Sequence, residues 1–156
     1  MFLHETVKYI QEAGLIAIVR THSPDDDLPA IIEAIADGGV RCVEVTMTSP
    51  GALAGIEKAS ARLREADLLL GVGSVLDAET CRAALLSGAQ YIVSPTAPEP
   101  VIRMCRRYGK PSLCGAYTPS EVLRAWELGT DLVKVFPAEL GGVAHIKALR
   151  GPMPQI

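Results

Sequence analysis

Aromatic side chains make up only 4% of the 156 residues, so the core has to be assembled from Ala, Val, Leu and Ile. That argues against an immunoglobulin-like sandwich, whose core leans on buried aromatic residues. A strong charge of either sign is also missing. Fifteen Lys and Arg against 18 Asp and Glu leave a net charge of −3, too mild and too mixed for a nucleic-acid or membrane-surface binder. The cysteines Cys42, Cys81, Cys105 and Cys114 contain no CxxC pair, and His4, His22 and His145 offer no zinc spacing to one another or to a Cys; no metal site is expected. Scattered thiols behind no basic-apolar leader read as the reduced cysteines of a cytoplasmic protein. The apolar runs are far shorter than a membrane span. An apolar content of 49% excludes disorder.

What is present is a repeat. Strand-like runs occur at Leu15–Arg20, Cys42–Met47, Leu68–Gly73, Tyr91–Ser94, Ser112–Gly115 and Leu132–Phe136, with starts 27, 26, 23, 21 and 20 residues apart. That is the period of a minimal βα unit. Helical stretches lie between the runs. Ser23-Pro24-Asp25 predicts a helix start with an N-cap, a first-turn proline and an acid at the positive dipole end. Thr118-Pro119-Ser120-Glu121 has the spacing of a capping box. Gly38-Gly39, Gly88, Gly109 and Gly129 each stop a helical pattern just before the next strand.

Alternating units imply a parallel sheet, doubly wound or closed into a barrel. The regular spacing and the polar residues alternating within several strands favour the (β/α)₈ TIM-barrel type, because a sheet buried on both faces would be apolar on both. Such a barrel needs about 200 residues or more, and about six βα units are counted. Residues 1–156 are therefore read as one barrel domain lacking its last two units, with Gly151–Ile156 expected to approach a seventh strand.

Side chains alternate faces along a strand. Leu132, Lys134 and Phe136 share one face, as do Cys42, Glu44 and Thr46, and likewise Ile16, Ile18 and Arg20. The opposite, wholly apolar sets suit a helix layer, so the mixed sets would line the barrel interior. Arg20, Glu44 and Lys134 then converge near the C-terminal strand ends, where barrel enzymes carry their chemistry. An amine withdrawn from water is a nucleophile suited to forming a Schiff base with a carbonyl. Glu44, the one carboxylate inside a strand, is the matching general acid/base. A buried Glu44–Lys134 ion pair without catalytic duty accounts for the same pattern, and parity alone weighs the two readings evenly. Gly71-Val72-Gly73-Ser74 either lets a ligand approach the backbone or makes a tight βα turn. Gly141-Gly142 more often starts a helix than holds an anion, His145 reads as a packing or surface histidine, and the cysteines read as small buried hydrophobes.

Six motifs occur in order: Val43-Glu44-Val45-Thr46, Gly71-Val72-Gly73-Ser74-Val75, Ile92-Val93-Ser94-Pro95, Thr118-Pro119-Ser120-Glu121, Lys134-Val135-Phe136-Pro137-Ala138 and Lys147-Ala148-Leu149-Arg150-Gly151-Pro152. Together, from about residue 15 onward, they resemble the 2-keto-3-deoxy-6-phosphogluconate (KDPG) aldolases and the related 4-hydroxy-2-oxoglutarate (KHG) aldolases. The resemblance implies a class I aldolase: a lyase of carbohydrate metabolism (the Entner-Doudoroff route), free of metal and cofactor, and usually a homotrimer of TIM barrels. It would cleave a 2-keto acid to pyruvate and an aldehyde. It further implies Lys134 as the Schiff-base lysine, Glu44 as acid/base, Arg20 near the substrate's anionic part, and Ser74, where many members have Thr, at the pyruvyl carboxylate. Thr46 and Gly73 would complete the substrate site, and Pro95 and Phe136 would shape the pocket. Thr48 stands where some members carry Arg, and Cys114-Gly115 where Pro-Gly is usual. Members continue into a Pro-Thr-Gly-Gly motif and an eighth strand that supply much of a phosphate site. The alternative expectation is therefore a truncated, catalytically impaired chain with a structural or oligomerising role.

Overall fold

In the computed structural model, which describes residues 2–156, six short strands lie side by side in chain order, all parallel. They are β1 (Ala17–Val19), β2 (Cys42–Thr46), β3 (Leu69–Gly73), β4 (Tyr91–Ser94), β5 (Ser112–Ala116) and β6 (Leu132–Val135). Each strand pairs with its sequence neighbour, and the order never reverses. A doubly wound sheet requires such a reversal at its switch point. The architecture is thus of the TIM-barrel type, with β1 and β6 as the two edges of the sheet.

The helices are α1 (Leu3–Ala13), α2 (Leu28–Asp37), α3 (Ala52–Arg62), α4 (Ala78–Leu86), α5 (Glu99–Arg107), α6 (Pro119–Leu128) and α7 (Gly142–Arg150). The capping box at α6 forms as expected: Thr118 Oγ1 accepts from the Glu121 amide (3.3 Å) and the Glu121 carboxylate accepts from the Thr118 amide (2.8 Å). Gly129 ends that helix in the left-handed region, φ 86°, which a side chain rarely tolerates. The expected start of α2 at Ser23-Pro24-Asp25 is not observed. The Asp26 carboxylate accepts from the His22 and Ser23 amides (3.2 and 3.1 Å), which ties those residues into a turn. The helix begins only after Asp27, whose Oδ1 accepts from the Ala30 amide at 3.2 Å, with Pro29 in its first turn. Gly142 opens α7, the plainer of the two readings of the glycine pair. Residues 151–156 form turns rather than strand.

Two apolar layers flank the sheet. Val19, Val43, Val45, Leu70, Val72 and Ile92 pack outward against Ile32, Ile56, Ala84 and Val101 of the helices. Cys42, Leu69, Tyr91, Val93 and Leu113 pack on the inner face, with Ile10 of α1 among them. The helix α1, to which the sequence reading gives no role, therefore covers the inner face from the N-terminal side of the strands. It is tied there by Tyr9, whose hydroxyl donates to Asp67 Oδ1 at 2.5 Å and whose ring lies under Arg41. No helix among the described residues is long and apolar enough to cross a membrane.

Candidate active site

The inner face carries the polar residues that parity assigned to it. In register, Ile18 of β1 faces Glu44 of β2, Glu44 faces Gly71 of β3, and Thr46 faces Gly73. Glu44 is buried, with 4% of its surface exposed. Burial pushes its carboxyl above the usual carboxylate range, opposed by the positive charges of Lys134 and, more weakly, Arg20. Both cations therefore bear on Glu44, yet among the described residues no ion pair within 4.0 Å joins it to either. The direct Glu44–Lys134 salt bridge of the structural reading is absent from this geometry. What exists instead is a buried carboxyl close to an amine that no acid neutralises.

Glycine makes this arrangement possible. A β-carbon at Gly73 would overlap the Glu44 carboxylate and lie 2.7 Å from Glu44 Cγ. The neighbouring inner-face glycine, Gly71, is similarly filled: a β-carbon there would overlap the tip of the Tyr91 ring and meet Tyr91 Cδ2 at 2.6 Å. The two glycines of the Gly71-Val72-Gly73 motif thus admit side chains of the protein itself.

The remaining candidates fall into two groups. Arg20 follows β1 and donates from Nε to Thr48 Oγ1 at 3.3 Å. Thr48 Oγ1 lies 2.9 Å from Thr46 Oγ1, and Thr46 lies 3.4 Å from Ser49 Oγ, which accepts from the Thr21 amide at 3.0 Å. This hydroxyl chain holds the guanidinium at the C-terminal end of β1 and β2. Thr46, 1% exposed, is a support for Arg20 here. The second group lies at β4, β5 and β6, where Lys134 pairs in register with Gly115. The lysine Nζ sits 5.3 Å from the centroid of the Phe136 ring. Phe136 and Pro95 both line a cavity of about 560 Å³ with Thr96, Gly115 and Tyr117 at the C-terminal ends of β4, β5 and β6. Gly115 is needed for the close approach of this loop, because a β-carbon there would overlap the Pro95 carbonyl. Ser74 directly follows Gly73 and takes φ 60°, the one non-glycine residue at positive φ among those described. A strained residue of this kind marks functional turns. His145 stacks on Tyr117 (4.4 Å) with Nε2 2.8 Å from its carbonyl oxygen, a packing role. All four cysteines are buried thiols, and burial pushes Cys42 and Cys114 up to about 11. No group of three or more His, Cys, Asp or Glu able to hold a metal occurs among the described residues.

Comparison with known proteins gives the family of the chain. The family model for KDPG and KHG aldolase matches residues 7–156. The chain belongs to that family. The 2-dehydro-3-deoxy-phosphogluconate aldolase of Treponema pallidum (strain Nichols) is 38% identical over 144 residues, which covers 92% of this chain and 67% of the relative. A crystal structure of the 4-hydroxy-2-oxoglutarate aldolase/2-deydro-3-deoxyphosphogluconate aldolase from TTHB1 superposes with a TM-score of 0.84 at 32% identity, covering 96% of this chain and 73% of that one. The KDPG aldolase of Legionella pneumophila, with pyruvate captured at low pH as a covalent carbinolamine intermediate, superposes with a TM-score of 0.81 at 27% identity over 90% of this chain and 68% of that one. The chain thus spans about two thirds of the length of the relatives it matches.

Two features of the candidate site escaped the sequence reading. One is the hydroxyl chain from Thr46 through Thr48 and Ser49, which brings loop residues together only once β1 and β2 pair. The other is Tyr91. Its place on the inner face follows from parity, but nothing in the sequence shows that its ring crosses Gly71.

Proposed function

We propose that this chain catalyses the class I aldol cleavage of a 2-keto-4-hydroxy acid to pyruvate and an aldehyde, with Lys134 as nucleophile and Glu44 as proton carrier. The single observation that carries the reading is the buried Glu44 carboxyl set against the cations of Lys134 and Arg20 without an ion pair. A purely structural pair would be expected to close into contact, because a buried charge is tolerated when directly partnered.

The chemistry follows from those groups. The Lys134 amine adds to the C2 carbonyl and gives a carbinolamine. Protonated Glu44 then hands its proton to the departing hydroxyl, which leaves as water and forms the iminium. The Glu44 carboxylate takes the proton from the C4 hydroxyl, the C3–C4 bond breaks, the aldehyde leaves, and the bonding electrons settle in an enamine. Glu44 returns that proton to C3, and hydrolysis of the iminium restores the amine and frees pyruvate. A carboxyl that must give and take a proton in turn works best when its affinity lies near the operating pH, and burial moves Glu44 in that direction. Arg20, held by Thr48, offers a bidentate donor for the anionic end of the substrate. Phe136 and Pro95 wall the reacting carbons. Ser74 is assigned to the pyruvyl carboxylate. The carbinolamine named for the Legionella pneumophila enzyme supports the first step here.

Both KDPG and KHG fit this scheme, since they share the reacting carbons. Assembly as a homotrimer belongs to the same proposal, as does the reading of residues 1–156 as one barrel-type domain. The test is pyruvate release from KDPG and from KHG by wild type and Lys134→Arg, with and without a chelator. Activity that survives the chelator and disappears in the variant is expected. Equal activity in the variant would overturn the imine mechanism.

A further inference from the structure

We propose that Tyr91 is a positioning residue for Glu44, its hydroxyl bound to one internal water that in turn donates to the Glu44 carboxylate. The argument begins with the ring. Tyr91 is fully buried, and its ring tip occupies the space a β-carbon would take at Gly71. Adjacent strands lie about 4.8 Å apart, so a tyrosine rooted on β4 whose tip already covers β3 directs its hydroxyl at the inner face of β2. The inner-face residues there are Cys42 and Glu44. Glu44 pairs in register with the same Gly71, and its carboxylate rests over Gly73, two residues further along β3. Phenol and carboxylate therefore lie over successive inner-face glycines of one strand, separated by about 7 Å of backbone. A water with two hydrogen bonds of about 2.8 Å bridges about 5.5 Å, and the Tyr91 hydroxyl extends one bond beyond the ring carbon that lies over Gly71.

The second observation is that the Tyr91 hydroxyl is buried and makes no hydrogen bond to any described group. An apolar ring would fill the same space without leaving a polar atom unmatched, and buried hydroxyls are ordinarily satisfied by protein or by internal water. Burial, with Cys42 and Glu44 adding to it, pushes the phenol far above its usual range. It stays neutral and is available as a donor. The charges that bear on Glu44 are those of Lys134 of β6 and Arg20 after β1; Cys42 of its own strand and Tyr91 of β4 pack together on the same inner face, and Glu44 and Cys42 both act on the phenol. Tyr91 brings a neutral hydroxyl, a stronger donor than the Cys42 thiol, and stabilises the carboxylate without the pull of a full charge. It thereby fixes which carboxylate oxygen is free to face the substrate. The inference rests on the reading of Glu44 as the acid/base, but its test does not require turnover.

The test is the titration of Glu44 followed by carbon-13 NMR of side-chain-labelled glutamate, with the signal assigned through Glu44→Gln, in wild type and Tyr91→Phe. Loss of a donor to the carboxylate raises its proton affinity, so a midpoint higher by about half to one pH unit, roughly a 3- to 10-fold change, is expected in Tyr91→Phe. An unchanged or lower midpoint in the folded variant overturns the proposal. In wild type alone, ring-labelled tyrosine should show a slowly exchanging Tyr91 hydroxyl proton with a cross-peak to a bound water; absence of that cross-peak also overturns it. Where turnover is measurable, the acidic limb of kcat should move with the NMR midpoint while KM stays constant. Failure of aldol cleavage itself would show as no turnover in either protein with the NMR difference intact.

Discussion

Gly73→Ala adds a single methyl group, and the structure says what it meets. Gly73 is not among the glycines with positive φ, so alanine imposes no backbone strain. Taken alone, the change should stabilise the strand by about 0.5–1 kcal/mol, because glycine loses more conformational freedom on folding. Against this, the new methyl overlaps the Glu44 carboxylate and lies 2.7 Å from Glu44 Cγ, where ordinary contact begins near 3.4 Å. Cγ alone must retreat by about 0.7 Å, and the carboxylate by more, inside a site that leaves Glu44 4% exposed. Overpacking of that kind costs roughly 1–3 kcal/mol and so outweighs the backbone gain. The measurable consequence is a change of sign. In wild type, Gly73→Ala should lower stability by about 1 kcal/mol, read from urea unfolding midpoints. In a Glu44→Ala background the obstacle is gone, and the same substitution should raise stability by about 0.5–1 kcal/mol. The coupling energy of this double-mutant cycle would be about 1–3 kcal/mol. Equal effects in the two backgrounds would refute the claim that Gly73 exists to seat Glu44.

Further predictions concern charge and local structure. The Glu44 carboxyl is raised chiefly by burial, so between its unfolded value near 4.3 and its folded value the native state binds more protons. Its contribution to stability is present at acid pH and lost as pH rises through the folded value. Glu44→Gln should therefore gain on the order of 1 kcal/mol at neutral pH and lose that advantage below about pH 4; a difference independent of pH in urea melts would contradict the burial argument. Thr118→Ala removes the hydroxyl that accepts the Glu121 amide and should cost about 1 kcal/mol, whereas Thr118→Ser should recover most of it. A Thr118→Ala variant as stable as wild type would show that Glu121 alone caps α6.

The strand pattern was legible because turn residues punctuate it and because parity sorts its side chains. The runs at Tyr91–Ser94 and Cys42–Met47 match β4 and β2 closely. Leu15–Arg20 shrinks to Ala17–Val19 because β1 pairs on one side only, so its ends have no second ladder to hold them. The start of α2 was misread for a local reason: Asp26 spends its carboxylate on the amides of His22 and Ser23, and this turn competes with the helix that Ser23-Pro24 would otherwise begin. The convergence of Arg20, Glu44 and Lys134 was also legible, since alternation puts them on one face and a shared strand polarity puts them toward one end. What occupies the space above a glycine is a cross-strand property. Gly71 and Gly73 looked like a turn or a ligand path from spacing alone, and only the register β2–β3–β4 shows Tyr91 and Glu44 filling them.

The central claim is that Lys134 of this chain forms an imine with a 2-keto acid. The most direct measurement is the intact mass of the protein after incubation with pyruvate and borohydride, followed by peptide mapping. The account predicts one reduced pyruvyl adduct, located at Lys134 and missing from Lys134→Arg. An unmodified protein, or an adduct spread over the exposed lysines and unaffected by that substitution, would contradict it.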